Sequence, residues 1–163
     1  MRPFRKETPN KIWQWNIETF NYRSALQLSV RTSKEIAELL IEVMNDNPAG
    51  VVEEITDVAI MHWAIAAWAN ADPRPFIEED INSCDDIYDL AACLNMHFSK
   101  YIRRCCPNSK SNDAARYLKL SLMCLERIIA LLNLDIAELV DAKMQINRAR
   151  SWNQLSDGNF QHA

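Results

Sequence analysis

The sequence predicts an all-α helical bundle, and its composition and apolar spacing support that prediction. The chain of 163 residues contains only two glycines and few β-branched runs, while apolar residues make up 48% of it. Such a composition favours helices over a β-sandwich or a barrel. Because the length suits one domain with its own core, we expect a single helical domain over residues 1–152 and a flexible, polar C-terminal tail over residues 153–163.

About five main helices are predicted. The first runs over about residues 25–45, because Ser24 and Gln27 form a capping-box pattern and apolar residues follow at i, i+3, i+4 and i+7. The segment "NDNPAG" ends it, and a second long helix begins near Val51. The other predicted elements are an amphipathic stretch, "KIWQWNIETF", and helices in "DDIYDLAACLNMHFSKYIRRCC" (introduced by Ser83 and stopped by Pro107), "AARYLKLSLMCLERIIALLNL" and residues 136–150, the last capped by Asp135 with Glu138.

Charge and cysteine usage limit the classes of partner. The net charge is −4 and neither GxGxxG nor GxxxxGK[ST] occurs, so we expect no nucleic-acid binding and no glycine-rich phosphate loop. Five cysteines without CxxC spacing indicate reduced thiols, not a zinc site or a disulfide framework. The start "MRPFRKETPNK" has no apolar core of a signal peptide, and no uncharged apolar run approaches membrane-spanning length. We therefore expect a soluble cytoplasmic protein without membrane contact.

Two pairs of carboxylates spaced three residues apart are the main chemical feature. Glu35 and Glu38 lie on the first long helix, and Glu54 and Asp57 lie on the second. Residues at i and i+3 share a helix face, and the short connection favours an antiparallel hairpin, so the four acids can converge. Hard oxygen ligands suit Mg²⁺ or Mn²⁺ bound together with substrate phosphates. Solvated surface charge is the competing interpretation, although apolar neighbours place these acids beside the core stripe.

A di-iron carboxylate centre is disfavoured. Such a centre in a helical bundle needs Glu-x-x-His pairs on two helices. The residues three positions before His62 and His97 are Ala59 and Leu94, so neither histidine belongs to such a pair. We interpret His62 as an ordinary histidine between helices.

Two motifs together resemble a known family. "KEIAELL" followed by "EEITDVAIM" resembles the ExxE…ExxD signature of the MazG-like, all-α nucleoside triphosphate pyrophosphohydrolases, with 15 residues between Glu38 and Glu54. "KMQINRARSW" resembles the K-x-x-x-N-x-x-R pattern of that family, here Lys143, Asn147 and Arg150. "WNIETF" is similar to the family's N-terminal W…F segment, and "NRARSW" looks closest to phage-type members that act on purine deoxynucleoside triphosphates.

The resemblance covers positions near 12–62 and 136–152, and it departs from the family at Lys34, where many members carry a further acid. It implies a MazG-like bundle that hydrolyses a (d)NTP between the α and β phosphates, giving (d)NMP and pyrophosphate, with dGTP or dATP as the expected substrate. It also implies a homodimer or homotetramer, located in the host cytoplasm if the protein is phage-encoded.

The resemblance also assigns roles to particular residues. Two or three Mg²⁺ or Mn²⁺ ions would be held by the catalytic acids Glu35, Glu38, Glu54 and Asp57. Lys143, Asn147 and Arg150 would bind the substrate phosphates, since a lysine and an arginine two helical turns apart face one side. A solvated basic helix end is the competing interpretation of these three residues. Glu53 or Glu42 is the expected proton acceptor.

The base of the nucleotide needs a flat apolar wall and polar groups at its edge. The candidates for this role are Ile12, Trp13, Trp15 and Asn16, with core packing as the competing explanation for either tryptophan. The alternative function, from a different class, is a non-catalytic helical interaction or assembly protein. Divalent ions would raise the melting temperature of the enzyme but not that of the interaction protein.

Overall fold

The computed structural model describes residues 6–22, 24–69, 84, 86–105, 114–154 and 160–162. Over these residues the protein is an all-α helical bundle with one short β-hairpin near its C-terminal end. The elements are α1 (Pro9–Phe20), α2 (Ala25–Met44), α3 (Pro48–Trp68), α4 (Ile87–Cys105), α5 (Ala114–Leu131), α6 (Ile136–Ala149), β1 (Trp152–Gln154) and β2 (Phe160–His162). None of these helices is both long enough and apolar enough to cross a membrane.

The predicted helices are confirmed, with differences at their ends. The amphipathic stretch before the first long helix is itself a helix of three turns, α1. The second long helix was expected to begin near Val51, but α3 begins at Pro48. Asn47 caps it by accepting a hydrogen bond from the Gly50 N–H at 3.3 Å, and the fixed φ of proline suits a first helical position. The expected helix boundaries at Ser83 and Pro107 lie outside the described residues.

Side-chain caps fix the starts of α2 and α6. The Ser24 hydroxyl accepts from the Gln27 N–H at 3.4 Å, and the Asp135 carboxylate accepts from the Glu138 N–H at 3.1 Å. Both residue pairs were predicted from the sequence. At the end of α1, Asn21 takes a left-handed conformation (φ 52°), a role that asparagine can fill in a chain almost without glycine.

The core centres on α3, which packs against α2 along a tight hairpin and also contacts α1, α5 and α6. α4 and α5 pair extensively with each other, and α4 also packs on α2. His62 is completely buried, and its two ring nitrogens lie 3.0 Å from the Val58 carbonyl oxygen and 3.2 Å from the Ser121 hydroxyl. The interpretation of His62 as a histidine between helices is therefore confirmed, here between α3 and α5.

The C-terminal segment contains the two short strands β1 and β2. β1 and β2 pair in antiparallel fashion with Trp152 opposite His162. The Trp152 indole N–H donates to the Asn147 carbonyl oxygen at 3.1 Å, and its ring meets those of Phe20 and Trp15 at 5.0 and 6.1 Å between centroids. These contacts attach the start of the hairpin to α1 and α6, which polarity along the sequence did not indicate.

Candidate functional site

Three of the four predicted acids converge in the α2–α3 hairpin. Glu35, Glu38 and Glu54 each offer a carboxylate oxygen, and these three oxygens all lie within 4.8 Å of one another. Glu35 and Glu38 share a face of α2 because they are three residues apart. The short link between the helices turns α3 back along α2 and brings Glu54 to that face. We call these three residues the acid cluster.

Asp57 lies outside this cluster and faces a lysine of α6. Its Oδ2 is 2.9 Å from Lys143 Nζ, and the same ammonium group is 3.0 Å from Glu53 Oε1. The contact is partly shielded from water, since the side chains of Lys143 and Asp57 are 15% and 22% exposed. The fourth predicted metal ligand is thus paired with one of the predicted phosphate-binding residues.

The acids perturb one another electrostatically. Burial, followed by the charge of Asp57, raises the pKa of Glu35 from its ordinary value to about 7. Burial and the charges of Asp57 and Glu38 likewise raise the pKa of Glu54 to about 7. Burial also raises the pKa of Asp57, although Lys143 opposes this shift. Near neutral pH, the hairpin therefore holds carboxylates that ionise only at a cost in the absence of a further cation.

The acid cluster fits a divalent cation in its donor atoms. Glu54 Oε2 is shielded from solvent and has no hydrogen-bond partner among the described residues. A buried carboxylate oxygen without a donor is costly, and a metal ion satisfies it as well as a proton donor does. Oxygen-only ligand sets match Mg²⁺ and Mn²⁺ better than softer metals. The group that these residues would hold is a hard divalent ion.

A cavity of about 290 Å³ opens beside the acids. Carboxylates line one part of it, cationic and amide side chains from α6 another, and aromatic rings a third. Its walls are formed by Trp15, Asn16, Phe20, Arg31, Lys34, Glu35, Asp57, Ile60, Met61, Lys143, Asn147, Arg150 and Trp152. Residues from α1, α2, α3 and α6 thus meet around one space.

All three residues of the predicted phosphate-binding pattern line this cavity. Lys143 and Asn147 lie on α6, whereas Arg150 follows its last residue and has extended backbone. The Arg150 guanidinium donates to Asn147 Oδ1 at 3.3 Å, so the amide holds the arginine toward the cavity. Arg148 points elsewhere, and its guanidinium makes two hydrogen bonds, both 3.0 Å long, to the Glu7 carboxylate.

The predicted base-binding residues divide into two groups. Trp15 and Asn16 line the cavity, whereas Ile12 is completely buried in the core and Trp13 is half-buried against the core. The Asn16 amide donates to the Ile12 carbonyl oxygen at 2.9 Å, but its own Oδ1 has no partner among the described residues. Asn16 is 0% exposed, so this unpartnered oxygen is shielded from solvent although the residue lines the cavity.

Arg31 and the aromatic rings beside it also belong to the site, and they were not predicted from the sequence. The Arg31 guanidinium lies 4.9 Å from the centroid of Phe20 and 5.5 Å from that of Trp152, and its Nε is 3.7 Å from Glu35 Oε1. Helical spacing could have identified Arg31, since it lies four residues before Glu35 on the same face. Phe20 and Trp152 belong to segments noted for their resemblance, but their meeting depends on packing between α1 and the C-terminal hairpin.

The two candidate proton acceptors also differ in position. Glu42, near the end of α2, accepts a hydrogen bond of 2.6 Å from the Asn47 side chain, so its carboxylate is engaged at the α2–α3 link. Glu53 pairs with Lys143 at the site, and this contact lowers the pKa of Glu53. Of the two, Glu53 is the one held beside the predicted metal ligands.

The comparisons with known proteins give no relative: no protein-family model, curated protein or solved structure matches this chain. The interpretation of the site therefore depends on the geometry of its own residues.

Proposed function

We propose that this protein is a metal-dependent (d)NTP pyrophosphohydrolase with a MazG-like site. The observation that supports it is the combination, around one cavity, of carboxylates on a helix hairpin, cations at the end of α6 and an aromatic wall. A nucleoside triphosphate requires these three chemistries: ligands for divalent ions, cations for phosphates and a flat surface for the base. A non-catalytic bundle has no need to bring them together.

In this proposal Glu35, Glu38, Glu54 and Asp57 hold two or three Mg²⁺ or Mn²⁺ ions. When bound, such ions would neutralise phosphate charge and favour ionisation of a water molecule. In the proposed reaction a water oxygen forms a bond to the α-phosphorus, the bond from that phosphorus to the α–β bridging oxygen breaks, and pyrophosphate leaves with the bond's electron pair. Glu53, beside these ligands, receives the water's proton.

The cations of the cavity position the triphosphate. Lys143 supplies a compact ammonium group, and Arg150 a planar guanidinium that can grip two phosphate oxygens. Asn147 orients Arg150 through their hydrogen bond. Arg31 lies between the acid cluster and the aromatic rings, a position suited to the junction of phosphates and nucleoside.

In this proposal Trp15, Phe20 and Trp152 form the flat wall against which the base packs, and Asn16 makes a hydrogen bond to the edge of the base. The unpartnered Asn16 Oδ1 is proposed to accept from an N–H group of the base, which all the common bases carry, and dATP and dGTP are proposed as substrates from the resemblance of "NRARSW" to phage-type members. Asn16→Ala should lower kcat/KM for the preferred nucleotide by about 10- to 100-fold relative to the others. Trp13→Phe, which alters a residue outside the cavity, is the matched control. Unchanged selectivity in Asn16→Ala would exclude the role of Asn16.

The first test is a substrate panel with the purified protein, Mg²⁺ or Mn²⁺, and each of the eight common NTPs and dNTPs. Monophosphate and pyrophosphate as products would support the proposal and identify the base. Diphosphate and orthophosphate would contradict the assigned bond while keeping a metal site. Absence of turnover, together with absence of stabilisation by metal, would favour the interaction-protein alternative.

Exposed apolar residues on α2 favour an interaction surface, whether the protein is an enzyme or a non-catalytic interaction protein. Val30, Ile41 and Met44 share one face of α2 and are 63%, 53% and 74% exposed. We propose that this face supports a homodimer or homotetramer of a cytoplasmic protein. Light scattering should then give twice or four times the monomer mass, and Ile41→Glu should reduce it to that of the monomer.

A further inference from the structure

We infer that Lys143 is a built-in counter-ion that occupies Asp57 in the metal-free protein and moves to the substrate phosphates when divalent ions bind. This inference rests on the proposed function and concerns the order and coupling of events at the same site. It gives Lys143 two kinds of partner in succession, first the carboxylates of Asp57 and Glu53 and then the substrate phosphates.

The contacts of two lysines at the acids differ in kind. Lys143 lies 2.9 Å from Asp57 Oδ2 with both side chains largely shielded, and it reaches across from α6 to α3. Lys34 lies 2.8 Å from Glu38 Oε1 within α2, but the two side chains are 68% and 38% exposed. A shielded charge-assisted hydrogen bond is stronger than an exposed ion pair. Lys143 is thus the cation that competes effectively with a metal ion.

Lys143 keeps Asp57 apart from the other three acids. The oxygens of Glu35, Glu38 and Glu54 converge without any contribution from Asp57, although Asp57 is close enough to raise the pKa of two of them. A carboxylate oxygen that accepts a hydrogen bond from an ammonium group at 2.9 Å is not free to bind a second cation from that side. In this inference Asp57 Oδ2 joins the metal ligands only after the Lys143 ammonium leaves.

When the Lys143 ammonium group leaves Asp57, it can turn toward the cavity that Lys143 lines. Lys143 lines the same space as Arg150 and Asn147, and a lysine stem rotates freely enough to turn its charge between neighbouring sites. Phosphates that attract Lys143 release Asp57, and metal ions that bind Asp57 release Lys143. Each ligand therefore favours the other, and the coupling is reciprocal. In the metal-free protein the same ammonium group limits repulsion among the acids.

Titration calorimetry with Mn²⁺ alone, in the absence of nucleotide, tests this inference directly. Lys143→Met should bind Mn²⁺ about tenfold tighter than the wild type, because the ion no longer competes with a charge-assisted hydrogen bond. Lys34→Met is the matched control, since it removes the same charge from the same group of acids. Its Mn²⁺ affinity should stay within about threefold of the wild type.

Two results would overturn the inference. Lys143→Met could bind Mn²⁺ no tighter than the wild type, or Lys34→Met could tighten binding equally, which would indicate a general charge effect. If circular dichroism shows Lys143→Met to be unfolded, Lys143→Gln decides by the same criterion, because its uncharged side chain is one atom shorter and gives up the charge-assisted hydrogen bond to Asp57 while staying polar. A wild type that hydrolyses nucleotides without any gain in Mn²⁺ affinity in Lys143→Met would refute only this inference. A wild type that neither binds Mn²⁺ nor turns over nucleotides would refute the proposed function too.

Discussion

The two halves of α3 hold their shielded ionisable side chains in opposite ways. In the C-terminal half, the residues from Ile60 to Ala66 are buried except for Trp63, and the polar one, His62, finds its hydrogen-bond partners within the chain. Burial lowers the pKa of His62 to about 4, so its ring is neutral at physiological pH. In the N-terminal half, Glu54 and Asp57 are acids whose pKa values burial raises.

The difference separates a group that serves folding from groups that serve binding. A buried polar side chain whose partners are all internal adds specificity to the core. Partly buried acids with raised pKa values beside a cavity cost stability and mark a candidate functional site. One helix therefore contributes a structural half, facing α4 and α5 through His62, and a proposed reactive half, facing α2 and α6.

The largest expected effect on activity comes from a substitution in the proposed reactive half of α3. Asp57→Asn keeps the size of the side chain but removes a proposed metal ligand, so turnover of the preferred nucleotide should fall by about 10³-fold or more. Steady-state kinetics measure this, with Glu18→Gln on the exposed side of α1 as the control. Full activity in Asp57→Asn would place the reaction elsewhere.

A substitution in the structural half should change stability without changing the site. Ile65 is completely buried, and Ile65→Ala should lower the free energy of unfolding by about 3 kcal/mol through lost burial and the cavity left behind. Urea unfolding measures this loss. Under folding conditions the Mn²⁺ affinity should remain within about twofold of the wild type, since distant sites are usually independent. A large loss of Mn²⁺ affinity would show that the two halves are coupled.

A smaller effect should depend on pH. The Glu35 carboxyl has a pKa of about 7 in the folded protein and an ordinary value of 4.5, so between these values only the folded state keeps its proton. As the pH rises from about 4.5 to about 7, the free energy of unfolding of the metal-free wild type therefore falls. Above about pH 7 the full cost of ionising Glu35 in the folded state is present. Glu35→Gln removes that cost and should be more stable than the wild type by about 3 kcal/mol at pH 8.

Unfolding experiments at pH 4.5 and pH 8, with a chelator present, measure that difference, which should be smallest at pH 4.5. Added Mn²⁺ should reverse the order at pH 8 because metal binding needs the ionised carboxylate. A constant difference between the two proteins at both pH values would show that Glu35 ionises normally.

The sequence by itself determined the helices and the phase of each helical face. Apolar spacing and side-chain caps are local properties of the chain, so the bounds of α2 and α6 and the convergence of Glu35, Glu38 and Glu54 followed from i, i+3 geometry and a short link. The bundle itself was predictable for the same reason. The start of α3 was misplaced because Pro48, which often ends helices, here occupies a first position that suits it.

Only the tertiary structure decided which residues from distant segments meet. Lys143 pairs with Asp57 across α3 and α6, Asn16 faces the cavity while Trp13 packs against the core, and Arg31 lies over rings from α1 and β1. These contacts depend on the rotation and approach of helices that are far apart in sequence, which no local period specifies. The residue types at the site could be predicted from the sequence, whereas their partners are set by how the helices pack.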